Sequence, residues 1–135
     1  MTDFIAYHNI DKMGGDFKPS RRFDFFSRKP ETLLRSAIGN RVWTITGKRR
    51  KGQMVYRLAG VFTPSEVQWE EDLFRISGDG KPFNPPIDLS DLPWFVELFR
   101  EQRNFSLGFN RIRAESIIEG LETLVNSQSV LPEGS

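Results

Sequence analysis

The chain has no cysteine and a single histidine, His8. Disulfide staples, thiolate metal sites and cysteine nucleophiles are therefore excluded, and a reducing, cytoplasmic setting is the one it suits. With one His and no H-E-x-x-H or H-x-E arrangement, a zinc hydrolase has no ligand set. No serine sits in a G-x-S-x-G elbow, and "GGDFKPS" is not a phosphate-binding P-loop. No D…E-x-K pattern of the metal-dependent nuclease type stands out. No run approaches the ~18 apolar residues of a membrane span, and "MTDFIAYHN" lacks the basic and apolar regions of a signal peptide. The sequence thus assigns no catalytic residue, no metal and no cofactor, and points to binding rather than catalysis.

What is present is aromatic and cationic. Twelve Phe stand against two Tyr and three Trp in 135 residues, a length that suits one domain with a real core. The net charge of +1 conceals an asymmetry: residues 1–60 carry 13 cations and 5 acids, and residues 61–135 carry 6 and 13. If the first part forms one face, that face attracts polyanions in a salt-dependent way. If the parts interleave in space, the charges cancel.

Residues 3–9 read as a strand and 10–22 as a loop broken by Gly14-Gly15 and Pro19. Residues 23–28 are a short aromatic stretch of unassigned structure. "KPETLLRSAIGN" reads as a helix, with Pro30 at its start and Gly39 as its stop. "RVWTITG" and "MVYRLAGVF" read as strands joined by a basic hairpin loop, "KRRKGQ". "LFRIS" is a further strand, and "GDGKPFNPP" a turn-rich connector. Ser90 is expected to cap a helix over 91–101. "NFSLGFNRI" holds a strand, 114–125 a last helix, and 126–135 a tail or truncated linker. The order predicts an α+β fold: a small curved or barrel-like, mostly antiparallel sheet with about three flanking helices.

Four features are candidates for function, each with a plainer alternative. Lys48, Arg49, Arg50 and Lys51 fit a phosphate grip, or a solubilising turn that guards a strand edge. In "SRRFDFFSRK", the cations Arg21, Arg22, Arg28 and Lys29 flank Phe23, Phe25 and Phe26. This is either a groove where rings stack on bases or a core strand edged by arginines. Trp43 and Trp94 read mainly as packing, whereas Trp69, in a polar connector, is open to a binding role. Tyr7, His8 and Asn9 end the first strand. Asn9 either reads a base edge or merely turns the chain.

The order of "FFSRKPETLLRSAIGNRVWTI", "MVYRLAGVF" and "FNPPIDLSDLPWFVELF…SLGFNRIRAESIIEGLETL" resembles the EVE/YTH branch of the PUA-like superfamily over roughly residues 3–125, which implies one such domain at 1–125. That resemblance implies a barrel-like sheet with an aromatic pocket for a modified base, ringed by basic surface. Carried over, the pocket aromatic before the first helix falls on Phe26 (or Phe25), followed by Ser27. The polar residue after the first strand falls on Asn9, and the aromatic between later strands on Trp69. Phe stands where the family commonly has Trp. Tyr7, His8 and Trp43 complete the expected pocket. The start also resembles domains at the front of modification-dependent restriction endonucleases, which implies a nuclease domain outside these residues. The expected partner is DNA carrying a modified base, cytosine in the first instance. An RNA-binding PUA-type module and a small-ligand or nucleic-acid-processing domain are the alternatives.

Overall fold

The computed structural model describes residues 2–13 and 21–129. Six strands form one curled, mixed sheet: β1 (Phe4–Asn9), β2 (Arg22–Ser27), β3 (Val42–Arg50), β4 (Gln53–Glu70), β5 (Leu73–Asp88) and β6 (Phe109–Arg111). Their order across the sheet is β2-β5-β4-β3-β1-β6. Only the β1–β3 pair is parallel; the other four pairings are antiparallel. Helices α2 (Glu31–Ser36), α3 (Phe95–Glu101) and α4 (Glu115–Ser129) flank it, and α1 (Ile10–Met13) is a single turn continuing from β1. The expected α+β class with a small curved sheet is the fold observed.

Alternation along β1 shows why both faces of the sheet are covered. Phe4 and Ala6 enter a core with Phe23, Leu34, Val42, Phe62, Val67, Ile76 and Phe109, on the side that α2 closes. Ile5 enters a second core with Trp43, Ile45, Leu58, Leu98, Ile117 and Leu121, on the side of α3 and α4. Twelve phenylalanines against two tyrosines suit such an interior, since a buried phenol needs a hydrogen-bond partner and a phenyl ring does not.

β4 and β5 run far beyond the strands that local pattern predicts. β4 takes in the segment "TPSEVQWE" and β5 takes in "GDGKPFNPP", both connectors by composition. Irregular register absorbs the residues that suggest loops. Between the pairs Gly60↔Pro82 and Leu58↔Ile87 the β4–β5 register skips residues 83–86, including Pro85 and Pro86, and the ladder resumes beyond them. Gly80 brings the two strands together where a methyl group would overlap Phe62 Cα, so its lack of a side chain serves close backbone approach rather than a turn. Ser90 does not cap α3. Its N–H donates to Asp88 Oδ1 at 3.0 Å, and the helix begins after Trp94 with no side-chain cap. At the C-terminal end α4 continues to Ser129, so residues 126–129, expected as tail or linker, are helical. Of the loop expected over 10–22, residues 10–13 are the helical turn α1 and Arg22 opens β2; residues 14–20, and 130–135 of the tail, lie outside the described residues.

Candidate nucleic-acid interface

The hairpin between β3 and β4 is tighter than a loop. Lys48, Arg49 and Arg50 are strand residues, and Arg50 pairs with Gln53 across a two-residue turn, Lys51-Gly52. Both turn residues have positive φ, 50° and 81°, as the inverse turn that matches strand twist requires. The Arg49 guanidinium donates to Gly52 O at 3.1 Å, and the Arg49 backbone N–H donates to Asp11 Oδ2 at 2.7 Å. Among the described residues the side chains of Arg49, Arg50 and Lys51 carry no ion pair, and all three are exposed.

The register decides what stands beside them. Asn9 pairs with Gly47, and Gly47 with Tyr56; Tyr7 pairs with Ile45. Directly paired residues share a face. Tyr7, Asn9, Gly47, Arg49 and Tyr56 therefore lie on one face, and His8, Thr46, Lys48 and Arg50 on the other. A side chain at Gly47 would overlap the Tyr7 hydroxyl, so glycine here leaves the phenol its place. Tyr7 stacks on Phe105 with ring centroids 4.7 Å apart and planes 8° from parallel. Tyr56 meets Tyr7 at 6.2 Å, Phe105 at 5.2 Å and Phe99 at 5.4 Å. The strand end thus carries two half-buried phenols and an amide next to the exposed cations Arg49, Arg50 and Lys51.

Burial pushes the Tyr7 phenol from its ordinary 10.0 up to about 12, with smaller contributions from Tyr56 and the Asp11 carboxylate. Burial also raises Tyr56, against the opposing pull of Arg49. The folded state holds the Tyr7 proton more tightly than the unfolded state does. Its contribution to stability is therefore complete below pH 10 and is lost as pH rises toward 12. We expect a spectrophotometric phenol titration to show a step near pH 12 that is absent in Tyr7→Phe, whose stability falls less steeply over pH 10–12. Identical titrations would refute this burial.

The remaining expected pocket residues do not gather here. Phe26 pairs with Arg75, which pairs with Gln68, whereas Ser27 pairs with Phe74 and Phe74 with Trp69. Phe26 and Trp69 therefore sit on opposite faces of the sheet and cannot sandwich one base. Phe26 is exposed over an open hollow of about 570 Å³ shared with Glu70, Glu71 and Asp72. Trp69 is 61% exposed and meets the edge of Phe74 at 4.9 Å. Phe25 faces inward, toward Phe109 at 5.9 Å. Ser27 Oγ accepts the Lys29 N–H at 3.1 Å, closing a local turn. Trp43 is 2% exposed and donates to Asp3 Oδ2, so it lines no surface.

The second cationic group is also differently placed. Arg22 pairs with Glu66 at 3.0 Å and Asp79 at 3.5 Å, and Arg28 with Asp72 at 3.5 Å. Arg21 is exposed and Lys29 half-buried at the two ends of β2. Because β2 pairs with β5, the basic and acidic parts of the sequence interleave along this edge, and no wholly basic face arises there. By contrast, Arg49, Arg50 and Lys51 of the β3–β4 hairpin carry no ion pair among the described residues.

Sequence reasoning misses Tyr56, Phe99 and Phe105. Tyr56 is legible in principle, since it opposes Gly47 once the hairpin turn is placed at Lys51-Gly52. Phe105 is not, because it belongs to three successive residues with positive φ, Arg103 (49°), Asn104 (58°) and Phe105 (63°), a left-handed turn without glycine. Such a conformation costs roughly 1 kcal/mol or more per residue and is held by its surroundings. Here Phe105 is buried against Tyr7, Asn104 N–H donates to Phe99 O at 2.8 Å, and Ser106 Oγ donates to Arg103 O at 2.7 Å.

No helix among the described residues is long and apolar enough to cross a membrane, and none of their His, Asp and Glu side chains group in threes to hold a metal ion. No family model, no curated protein and no solved structure matches the chain.

Proposed function

We propose that the chain is a nucleic-acid-binding module that grips the phosphate backbone with the β3–β4 hairpin and holds an extruded base against the Tyr7–Asn9–Tyr56 face. The observation that carries this reading is the adjacency of Arg49, Arg50 and Lys51, which carry no ion pair among the described residues, to a face bearing two phenols and an amide. Cations position the backbone, and Asn9 offers both donor and acceptor to a base edge. Extrusion costs a few kcal/mol, offset by stacking worth ~1–3 kcal/mol per base. The resemblance to EVE/YTH domains is the ground for a modified base, with modified cytosine in DNA as first choice, and for a role as specificity domain of a modification-dependent nuclease. One buried methyl adds about 0.8 kcal/mol, roughly fourfold, so larger selectivity rests on polar readout by Asn9.

The test is titration of duplexes that differ only in cytosine, 5-methylcytosine or 5-hydroxymethylcytosine, with RNA of the same sequence in parallel. Preference for one modified duplex is expected. Equal affinities would remove base reading, and tighter RNA binding would move the chain to the RNA-binding PUA class. Asn9→Ala is expected to lower selectivity by about tenfold while leaving salt-dependent background binding. Trp69→Ala, at the far end of β4 beside Glu70 and Glu71, is expected to leave both intact. The reverse result would move the base site to Trp69.

A further inference from the structure

A second cationic site lies at the other end of the central strands. β6 pairs with β1 so that Arg111 stands opposite Phe4, which in turn is level with Val42 at the start of β3. Beside it Arg103, Arg113, Asn110, Leu107 and Glu101 line an open cleft of about 420 Å³. The single acid in this lining is already committed. Glu101 Oε1 accepts the backbone N–H groups of Arg113 (2.9 Å) and Ala114 (2.7 Å), and Oε2 accepts Gln102 Nε2 at 3.2 Å. Glu101 thereby closes the entry to α4 and pairs with none of the three arginines. Arg111 donates to Ser36 Oγ at 3.3 Å, and its guanidinium lies 6.0 Å from the Phe4 ring. Among the described residues Arg103 and Arg113 carry no ion pair.

Arg103 is also not on an ordinary exposed loop. It opens the left-handed turn whose third residue, Phe105, is buried against Tyr7, and its carbonyl accepts both the N–H and the hydroxyl of Ser106. The backbone under this arginine is held from both sides, in a conformation that persists only where packing enforces it. Three arginines thus line one open cleft whose carboxylate is satisfied elsewhere, and each guanidinium is a planar fork of donors of the kind that matches oxyanions.

We infer that the Arg103–Arg111–Arg113 cleft is a phosphate-binding site, separate from the hairpin. Its ligand is a phosphate group, either free or borne by the backbone of a polynucleotide; the latter source rests on the function proposed above. Val42 and Arg50 are eight residues apart on β3, about 26 Å of strand. A duplex contacting both sites would span about eight base pairs at 3.4 Å each.

The test uses the full chain and the double variant Arg103→Gln/Arg113→Gln, with arginine Nε–Hε resonances followed by NMR. Inorganic phosphate is the first probe and an unmodified 12-base-pair duplex the second. A saturable shift of the Arg103, Arg111 and Arg113 signals with inorganic phosphate in the native chain, with the shift of Arg111 lost in the variant, supports the site with a free phosphate as ligand. A fall of about 2 in the slope of log affinity against log salt for the duplex, without saturation by free phosphate, supports it with a polynucleotide as the source. Absence of both responses overturns the site. The hairpin variant Arg49→Gln/Arg50→Gln/Lys51→Gln separates the two claims. If duplex binding survives there while the cleft still titrates with phosphate, the hairpin grip fails and the cleft stands. Arg103→Lys/Arg113→Lys, which keeps charge but not the planar fork, is expected to restore the salt slope and not the phosphate saturation.

Discussion

Replacing Arg49, Arg50 and Lys51 together by glutamine is expected to weaken duplex binding by about 100-fold or more at 0.1 M salt and to flatten its salt dependence. Each phosphate neutralised contributes about 0.9 to the slope of log affinity against log salt. Leaving three phosphates without their cations thus lowers the slope by about 2.7, and at 0.1 M the same arithmetic gives a loss of two to three decades. The fold should be unaffected, because all three side chains are exposed and none is ion-paired among the described residues. The turn itself depends on Lys51-Gly52 adopting positive φ, which Gln tolerates about as poorly as Lys. Arg22→Gln/Arg28→Gln is the matched control. Those cations already face Glu66, Asp79 and Asp72, so their removal should change the slope by well under 1. Salt titrations of the two variants compare the sites directly, and an unchanged slope in the hairpin variant would end the phosphate-grip proposal.

The contrast between these two cationic groups also explains what the sequence can and cannot disclose. Elements of strong local pattern are legible: Phe4–Asn9 as a strand, Glu31–Ser36 as a helix, the Val42 and Gln53 strands with their hairpin, and α4. The general α+β architecture follows from their order. The long-range terms are not legible. β5 continues through Pro82, Pro85 and Pro86 because register slips next to β4 absorb them, and no local propensity announces such pairing. That pairing makes Trp69 a strand residue, puts it on the face opposite Phe26, and brings Asp79 and Glu66 to Arg22. Run length alone therefore cannot separate Arg22 and Arg28 from Arg49, Arg50 and Lys51. What separates them, among the described residues, is the carboxylates of β4, β5 and the turn between them, which reach the first group and not the second. Phe105 is hidden for a related reason, since a left-handed turn made of Arg, Asn and Phe has no glycine to mark it.

The largest expected loss of stability comes from a residue that no motif or pattern singles out, Asp3. It is 1% exposed, and its Oδ2 accepts from Trp43 Nε1 at 2.8 Å and from the Arg41 guanidinium at 2.9 Å. Arg41 reaches on to Glu122 of α4 at 3.0 Å, and the Asp3 carbonyl accepts the Ile112 N–H at 2.8 Å. One carboxylate thus joins the start of β1 to β3, while its backbone and its partner reach the β6 end and α4. Asp3→Ala leaves a buried indole N–H without its acceptor and a half-buried guanidinium with Glu122 as its remaining carboxylate. Removing one partner of a buried ion pair costs roughly 3–5 kcal/mol, and the partial exposure of Arg41 places the expected loss at the lower end, about 3 kcal/mol. For a domain of this size that is a fall in Tm of about 10 °C. Asp3→Asn, which keeps an acceptor for Trp43 but not the charge facing Arg41, should lie between. In an Asp3→Ala background Trp43→Phe should cost less than in the native chain by about 1 kcal/mol or more, since the hydrogen bond is already gone. Urea denaturation of the four chains closes this cycle. A loss under about 1 kcal/mol for Asp3→Ala, or strict additivity with Trp43→Phe, would show that the junction is held by packing and not by the carboxylate.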